Sequence, residues 1–163
     1  MKKFIKKLLR ESLRIPSDIE LDNNYDYRSI NYMDLELIEV GSYGDDIIYL
    51  GVKLPNEPTS NDGIVLDIKT EDGLYMIINI LMAYNLQGLG LGYKIYKKFI
   101  EEFGHAFSNF SKRVNDKEVV AIWGKLENEP DFETYKTSNG ELCVFASNPD
   151  KELIINKFIN MYG

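Results

Sequence analysis

NLQGLGLGYKIYKKF, residues 85–99, is the place where one kind of periodicity gives way to another. Before it stands LYMIINILMAY, residues 74–84, the longest apolar stretch of the chain, which reads as a strand buried on both faces and therefore central in a sheet. After it Leu91, Ile95, Phe99, Phe103 and Phe107 recur four apart, with Lys94, Lys97, Lys98, Glu101 and Glu102 largely off that stripe. That spacing predicts the principal amphipathic helix from about Leu89 to Phe110. Between strand and helix lie Gly88, Gly90 and Gly92 at alternate positions. Without Cβ atoms the backbone can turn sharply there and admit a ligand to its amides. The first turn of the helix adds unpaired N–H groups and the positive end of its dipole, so the junction suits an anion such as a pyrophosphate. The bland alternative is a tight turn and nothing more. No Gly-Lys-Ser/Thr follows, which excludes a Walker loop, and the spacing is not that of a dinucleotide-binding G-x-G-x-x-G.

Upstream of this junction three further apolar runs are separated by turn residues: LELIEV (35–40), IIYLGVKL (47–54) and IVLDIKT (64–70). Short polar connections predict an antiparallel meander of four strands ending in the long one. Residues 17–34 show no clear period and read as a connecting region. Downstream, VVAIWG (119–124) reads as a short strand, KLENEPDFETYKTSNG as an acidic loop with a short helix, and LCVFA (142–146) as a closing strand. Pro149 and Asp150 then open a C-terminal amphipathic helix carrying Leu153, Ile154, Phe158 and Ile159. The expected class is α+β, with a mostly antiparallel central sheet, a long helix after the fourth strand, and amphipathic helices at both ends. Residues 1–16 form the basic helix and residues 17–163 a single domain.

A chain of 163 residues buries roughly 70% of its unfolded surface and needs no metal or disulfide to hold it. One cysteine, Cys143, and one histidine, His105, build neither an internal bridge nor a closed zinc site, so no metal is expected. The reducing cytoplasm is the expected compartment. The formal charge of −7 hides a division. Residues 1–14 hold Lys2, Lys3, Lys6, Lys7, Arg10 and Arg14 against Glu11, a net +5, which leaves −12 on the remainder. In MKKFIKKLLRESLRIP the residues Ile5, Leu8, Leu9 and Leu13 share one helical face, and Pro16 ends the run. Charges interrupt it too often for a signal peptide or a membrane span. Three uses are open: capping the domain core, docking on an acidic partner or assembly, and contact with a membrane surface or nucleic acid. The acidic remainder opposes nucleic acid.

Gln87, Gly90 and Gly92, set between a strand and a helix, form Q-x-x-G-x-G. The pattern resembles the acyl-CoA signature R/Q-x-x-G-x-G/A of the GNAT superfamily of N-acetyltransferases. A second likeness lies downstream, where the family often follows its fifth strand with an Asn and, seven residues on, a Tyr. With Val119–Gly124 as that strand, Asn128 and Tyr135 hold the matching positions, while Pro130, Asp131 and Glu141 depart from the pattern. The resemblance spans about residues 35–147. It implies an acetyl-CoA co-substrate and a small-molecule or protein amine as acceptor. It also implies that Gln87, Gly88, Leu89, Gly90, Leu91 and Gly92 cradle the pyrophosphate, and that Leu81, Met82 and Ala83 meet pantetheine and acyl group where their strand splays from its neighbour. Asn128 becomes a pantetheine contact and Tyr135 the acid that returns a proton to the leaving thiolate. The base is open between a water and Asp67. The family also places two helices between its first and second strands, where this sequence offers six residues, Gly41–Asp46. Either the first strand lies near Ile19–Leu21 with Tyr25–Met33 as a vestigial helix, or that acceptor wall is absent.

The basic start further resembles the short amphipathic starts of many tailed-phage proteins. That likeness implies a second function class, a non-catalytic virion or assembly protein docked through residues 1–14 in the host cytoplasm or the virion. His105, Cys143 and Trp123 read as structural residues, and Glu127, Glu129, Asp131 and Glu133 as a solvated loop or a lure for a cationic amine.

Overall fold

The computed structural model describes residues 15–56, 63–108, 117–138, 140–146 and 150–162. The amphipathic helix expected over residues 1–16 lies, up to Arg14, outside the described residues. Among the described residues seven strands and three α-helices follow in the order β1 (Glu36–Tyr43), β2 (Ile47–Lys53), β3 (Ile64–Glu71), β4 (Leu74–Met82), α1 (Leu91–Phe103), β5 (His105–Ser108), α2 (Lys117–Glu127), β6 (Glu133–Lys136), β7 (Leu142–Phe145) and α3 (Lys151–Tyr162). The strands form one sheet in the order β1-β2-β3-β4-β5-β7-β6, antiparallel except where β4 meets β5. The class is α+β, the meander is as the turn residues predict, and β4 is central. The β3–β4 hairpin turns on Asp72 and Gly73, both with positive φ, the two-residue geometry whose twist suits flanking strands.

Helices α1 and α2 cover one face of the sheet. Leu50, Leu66, Ile68 and Ile77 from the strands meet Leu91, Ile95, Phe99 and Trp123 from the helices in the main core. Helix α3 covers the other face across β4, β5 and β7, where Leu74, Met76, Phe107, Cys143 and Phe145 enclose Ile154 and Phe158.

Three expectations need correction. The principal helix stops at Phe103 because Gly104 adopts φ 90° and its amide caps the carbonyl of Ile100 at 2.8 Å. Phe107, expected on the helix stripe, therefore stands on β5, and His105 is a buried strand residue. Second, VVAIWG is not a strand but the body of α2, with Val119, Trp123 and Leu126 buried on one side. Helical spacing over 119–126 outweighs the short run of contiguous apolar residues. Third, Ile19–Leu21 is no strand and Tyr25–Met33 no helix. Instead, single 3-10 turns at Tyr27–Ser29 and Tyr32–Asp34 rest against α1, where Lys94 and Lys98 donate to the carbonyls of Arg28 (2.6 Å) and Met33 (3.3 Å).

Candidate functional site

Beyond its start, β4 has a partner on one side. Its parallel register with β5 is Met76 against Phe107, and β5 ends at Ser108. Residues Asn79–Met82 remain paired to Ile64–Asp67 of β3, and no described residue of β5 pairs with them. Between Asp67 and Ile68 the β3–β4 register shifts, leaving Ile78 as an extra residue. A bulge of this kind bends its strand and re-aims the residues beyond it. Into the resulting gap opens a groove of about 1040 Å³, at the upper end for small-molecule sites. Its walls are Asn79, Ile80, Leu81 and Met82 of β4, the glycine turn, and Val119, Ala121 and Ile122 of α2.

The turn is built from its own backbone. Leu86 and Gln87 donate to the carbonyls of Ala83 and Tyr84, and the Gln87 side-chain amide reaches back to the Met82 carbonyl at 2.9 Å. Gly88 and Gly90 then take φ 77° and 75°, and a Cβ on either would project into open space. No described group accepts a hydrogen bond from the amides of Gly88, Leu89 or Gly90, and the next three amides are the unpaired first turn of α1. Gly92 serves differently, since a Cβ there would lie 2.9 Å from Ile122 Cδ1. It lets α1 and α2 close on each other beneath the groove.

Tyr93, also on the groove wall, donates its hydroxyl to Glu129 Oε2. Lys97 Nζ meets the other carboxylate oxygen at 3.0 Å and lies 4.5 Å from the centre of the Tyr32 ring. The Tyr93 hydrogen bond and the Lys97 charge hold Glu129 below the usual carboxylate range, against the opposing effect of burial. Burial and the carboxylate push the Tyr93 phenol above its usual range. This cluster ties the start of α1 to the loop after α2 and fixes the floor of the groove.

Of the residues singled out in the sequence, Leu81, Met82, Gln87, Gly88, Gly90, Leu91 and Gly92 line the groove together. Ala83 is fully buried behind it, donating to Gly63 at 2.8 Å, and Leu89 packs against the core. Asn128 lies just past α2, where its side chain donates to the Gly124 carbonyl at 2.9 Å. Tyr135 stands on edge strand β6 and packs edge-on against Phe158 beneath α3. Both positions were counted from a fifth strand at Val119–Gly124, and that segment is a helix. Neither residue is among those lining the groove. Asn79 and Ile80, hidden within a uniformly apolar strand, and Lys117, Ile122 and Lys125 of α2 are the lining residues sequence reading missed. The 119–126 spacing was the available signal for α2.

No family model and no curated protein matches this chain. Among solved structures, the ribosomal-protein-S18-alanine N-acetyltransferase from Escherichia coli is similar in chain path, at 15% identity and a TM-score of 0.41, covering 63% of this chain and 68% of that one. No helix among the described residues is long and apolar enough to cross a membrane.

Proposed function

We propose that the chain is a GNAT-like acyltransferase that binds acetyl-CoA in this groove and passes the acetyl group to an amine. One observation carries the reading. A glycine turn whose amides have no described acceptor sits at a helix N-terminus beside a strand end with no described partner on its open side, and both line one groove. The amides of Gly88, Leu89 and Gly90, with the first turn of α1, would take the pyrophosphate. The apolar walls Ile80, Leu81, Met82 and Ile122 suit a pantetheine chain, and main-chain groups of β4 run alongside it. The open cradle over Gly88 and Gly90 fits such a ligand, because side chains there would fill it. Bound acetyl-CoA supplies an activated thioester. The protein's part is to hold the thioester in line with the amine, keep water out, and take up the amine's proton. Of the two proton acceptors open from the sequence, Asp67 stands opposite the groove residue Asn79 in strand register but is not itself among the lining residues, so both stay open.

The direct test is thermal. A ligand of the native state raises the melting temperature, so millimolar CoA or acetyl-CoA should raise it by several degrees. Release of free thiol from acetyl-CoA in the presence of an amine panel should follow. An intact fold whose melting point does not respond to CoA would end this reading.

A further inference from the structure

We propose that Lys117 and Lys125 hold phosphate groups of the ligand from the α2 wall of the groove, so that the site selects an acyl carrier that bears phosphate. The inference rests on the acyl-CoA reading above. Lys117, Ala121 and Lys125 are spaced four apart on α2, which puts them on one helical face, and all three line the groove with Gln87, Gly88 and Gly90. Lys125 Nζ lies 5.9 Å from the centre of the Tyr93 ring. Tyr93 belongs to the first turn of α1, whose amides have no acceptor within the helix. The Lys125 ammonium and the positive end of α1 therefore bear on the same part of the groove.

Charge gives that placement its meaning. Most lysines of the described chain are already engaged. Lys97 meets Glu129 at 3.0 Å, Lys151 meets Glu133 at 2.8 Å and Lys157 meets Asp72 at 3.7 Å, while Lys94 and Lys98 donate to main-chain carbonyls. Lys117 and Lys125 are exposed and, among the described residues, have no carboxylate within ion-pair distance. With Glu118 they are the charged residues of the groove lining, a net positive wall on a chain of formal charge −7. The net charge repels a polyanion at long range, and a local cationic wall reverses that field where the phosphates enter. CoA carries a phosphomonoester besides its pyrophosphate, and the amides of one helix N-terminus meet only part of those oxygens. The two lysines supply the remaining counter-charge. The acetyl-pantetheine arm is uncharged and offers them nothing to bind.

The test uses the full chain with Lys117 and Lys125 both replaced by Gln, beside a control with both replaced by Arg. Both side chains are exposed, so without ligand either variant should melt with the parent. Titration calorimetry at low and high salt would measure CoA and acetyl-pantetheine. The Gln variant should bind CoA about tenfold more weakly at low salt, show a flatter salt dependence, and bind acetyl-pantetheine unchanged. The Arg variant should match the parent. Equal CoA affinity and salt slope in parent and Gln variant would overturn the inference while leaving the groove's acyl-CoA reading intact. So would an equal loss of acetyl-pantetheine binding, which would show that the lysines act through packing and not through charge. A parent chain that binds no CoA overturns both.

Discussion

The two faces of the central sheet are built from the same kinds of residue and differ in whether they close. On one, α3 lays Ile154 and Phe158 into Met76, Phe107, Cys143 and Phe145, and the cluster is buried throughout. On the other, α1 and α2 meet closely at Gly92 and Ile122 but leave the outer half of β4 facing a groove. Among the described residues β5 pairs only with the start of β4, so the outer half of β4 has no described strand beside it on that side. The larger core lies on the face that carries the groove, and the smaller cluster under α3 is the one without an opening.

The division is tested most heavily by Phe158→Ala. Phe158 is fully buried, with its ring 5.3 Å from Phe107 and 6.2 Å from Tyr135. Loss of its volume should cost about 3–5 kcal/mol in urea denaturation. CoA affinity of the protein that remains folded should not change. A large fall in affinity would mean that the two faces are coupled through β4.

Acid should act next, through His105. Its Nε2 accepts from the Tyr75 amide at 3.1 Å, its Nδ1 has no described partner, and it is 2% exposed. Burial first, and the Lys157 charge second, lower its pKa from 6.5 to about 4. The unfolded chain therefore binds the extra proton first as pH falls. The contribution is fully present above about pH 6.5 and is lost toward pH 4, a loss of about 3 kcal/mol at 1.4 kcal/mol per pH unit. Denaturation curves across that window should show the slope, and His105→Gln should remove it. A wild-type curve flat from pH 6.5 to 4 would show that the histidine is accessible in the native state.

How much of this division was legible depends on whether local pattern or long-range pairing decides each element. The β4–glycine–α1 junction announces itself because a strand run, three alternating glycines and a four-residue stripe are adjacent in sequence. The meander is legible for the same reason, through its turn residues. Four-residue strands such as β5 carry too little pattern to be seen beside a long helix, and Phe107 continued the stripe by coincidence of spacing. The end of α1 was written in Gly104, whose positive φ stops a helix, but a glycine in that position also occurs within helices. Once β5 was missed, α2 was taken in its place, and the count that led to Asn128 and Tyr135 began from the wrong element. Seven of the residues singled out in the sequence line the groove, and Asn128 and Tyr135, placed by that count, do not.

A smaller effect, in energy, is expected on the open face. Gly90→Asp places a carboxylate where φ is 75°, a conformation Asp tolerates better than most residues, with open space around the side chain. An acid at a helix N-terminus is favourable to the helix by about 0.3–1 kcal/mol. The strain of a positive φ, about 1 kcal/mol, offsets that gain, so the melting temperature should stay level or fall by a few degrees, while CoA affinity falls at least tenfold, about 1.4 kcal/mol, because the new charge occupies the anion cradle. A loss of binding beyond the small loss of stability is the signature of a site made of backbone amides. An unchanged affinity would place the phosphates elsewhere.

The smallest effect should come from Tyr135→Phe, and it separates the two faces most cleanly. A tyrosine that returns a proton to a leaving thiolate contributes about 10²–10⁴ in rate, so its loss is unmistakable in kcat. The structure puts this ring against Phe158 under α3, on an edge strand and apart from the residues that line the groove. The substitution keeps the ring and its packing, so stability should change by less than about 0.5 kcal/mol and kcat by less than about twofold. Thiol release measured beside a melting curve distinguishes the alternatives. A hundredfold loss at unchanged melting temperature would return the acid to Tyr135 and require the closed face to open during turnover, which the enclosed packing around Phe158 argues against.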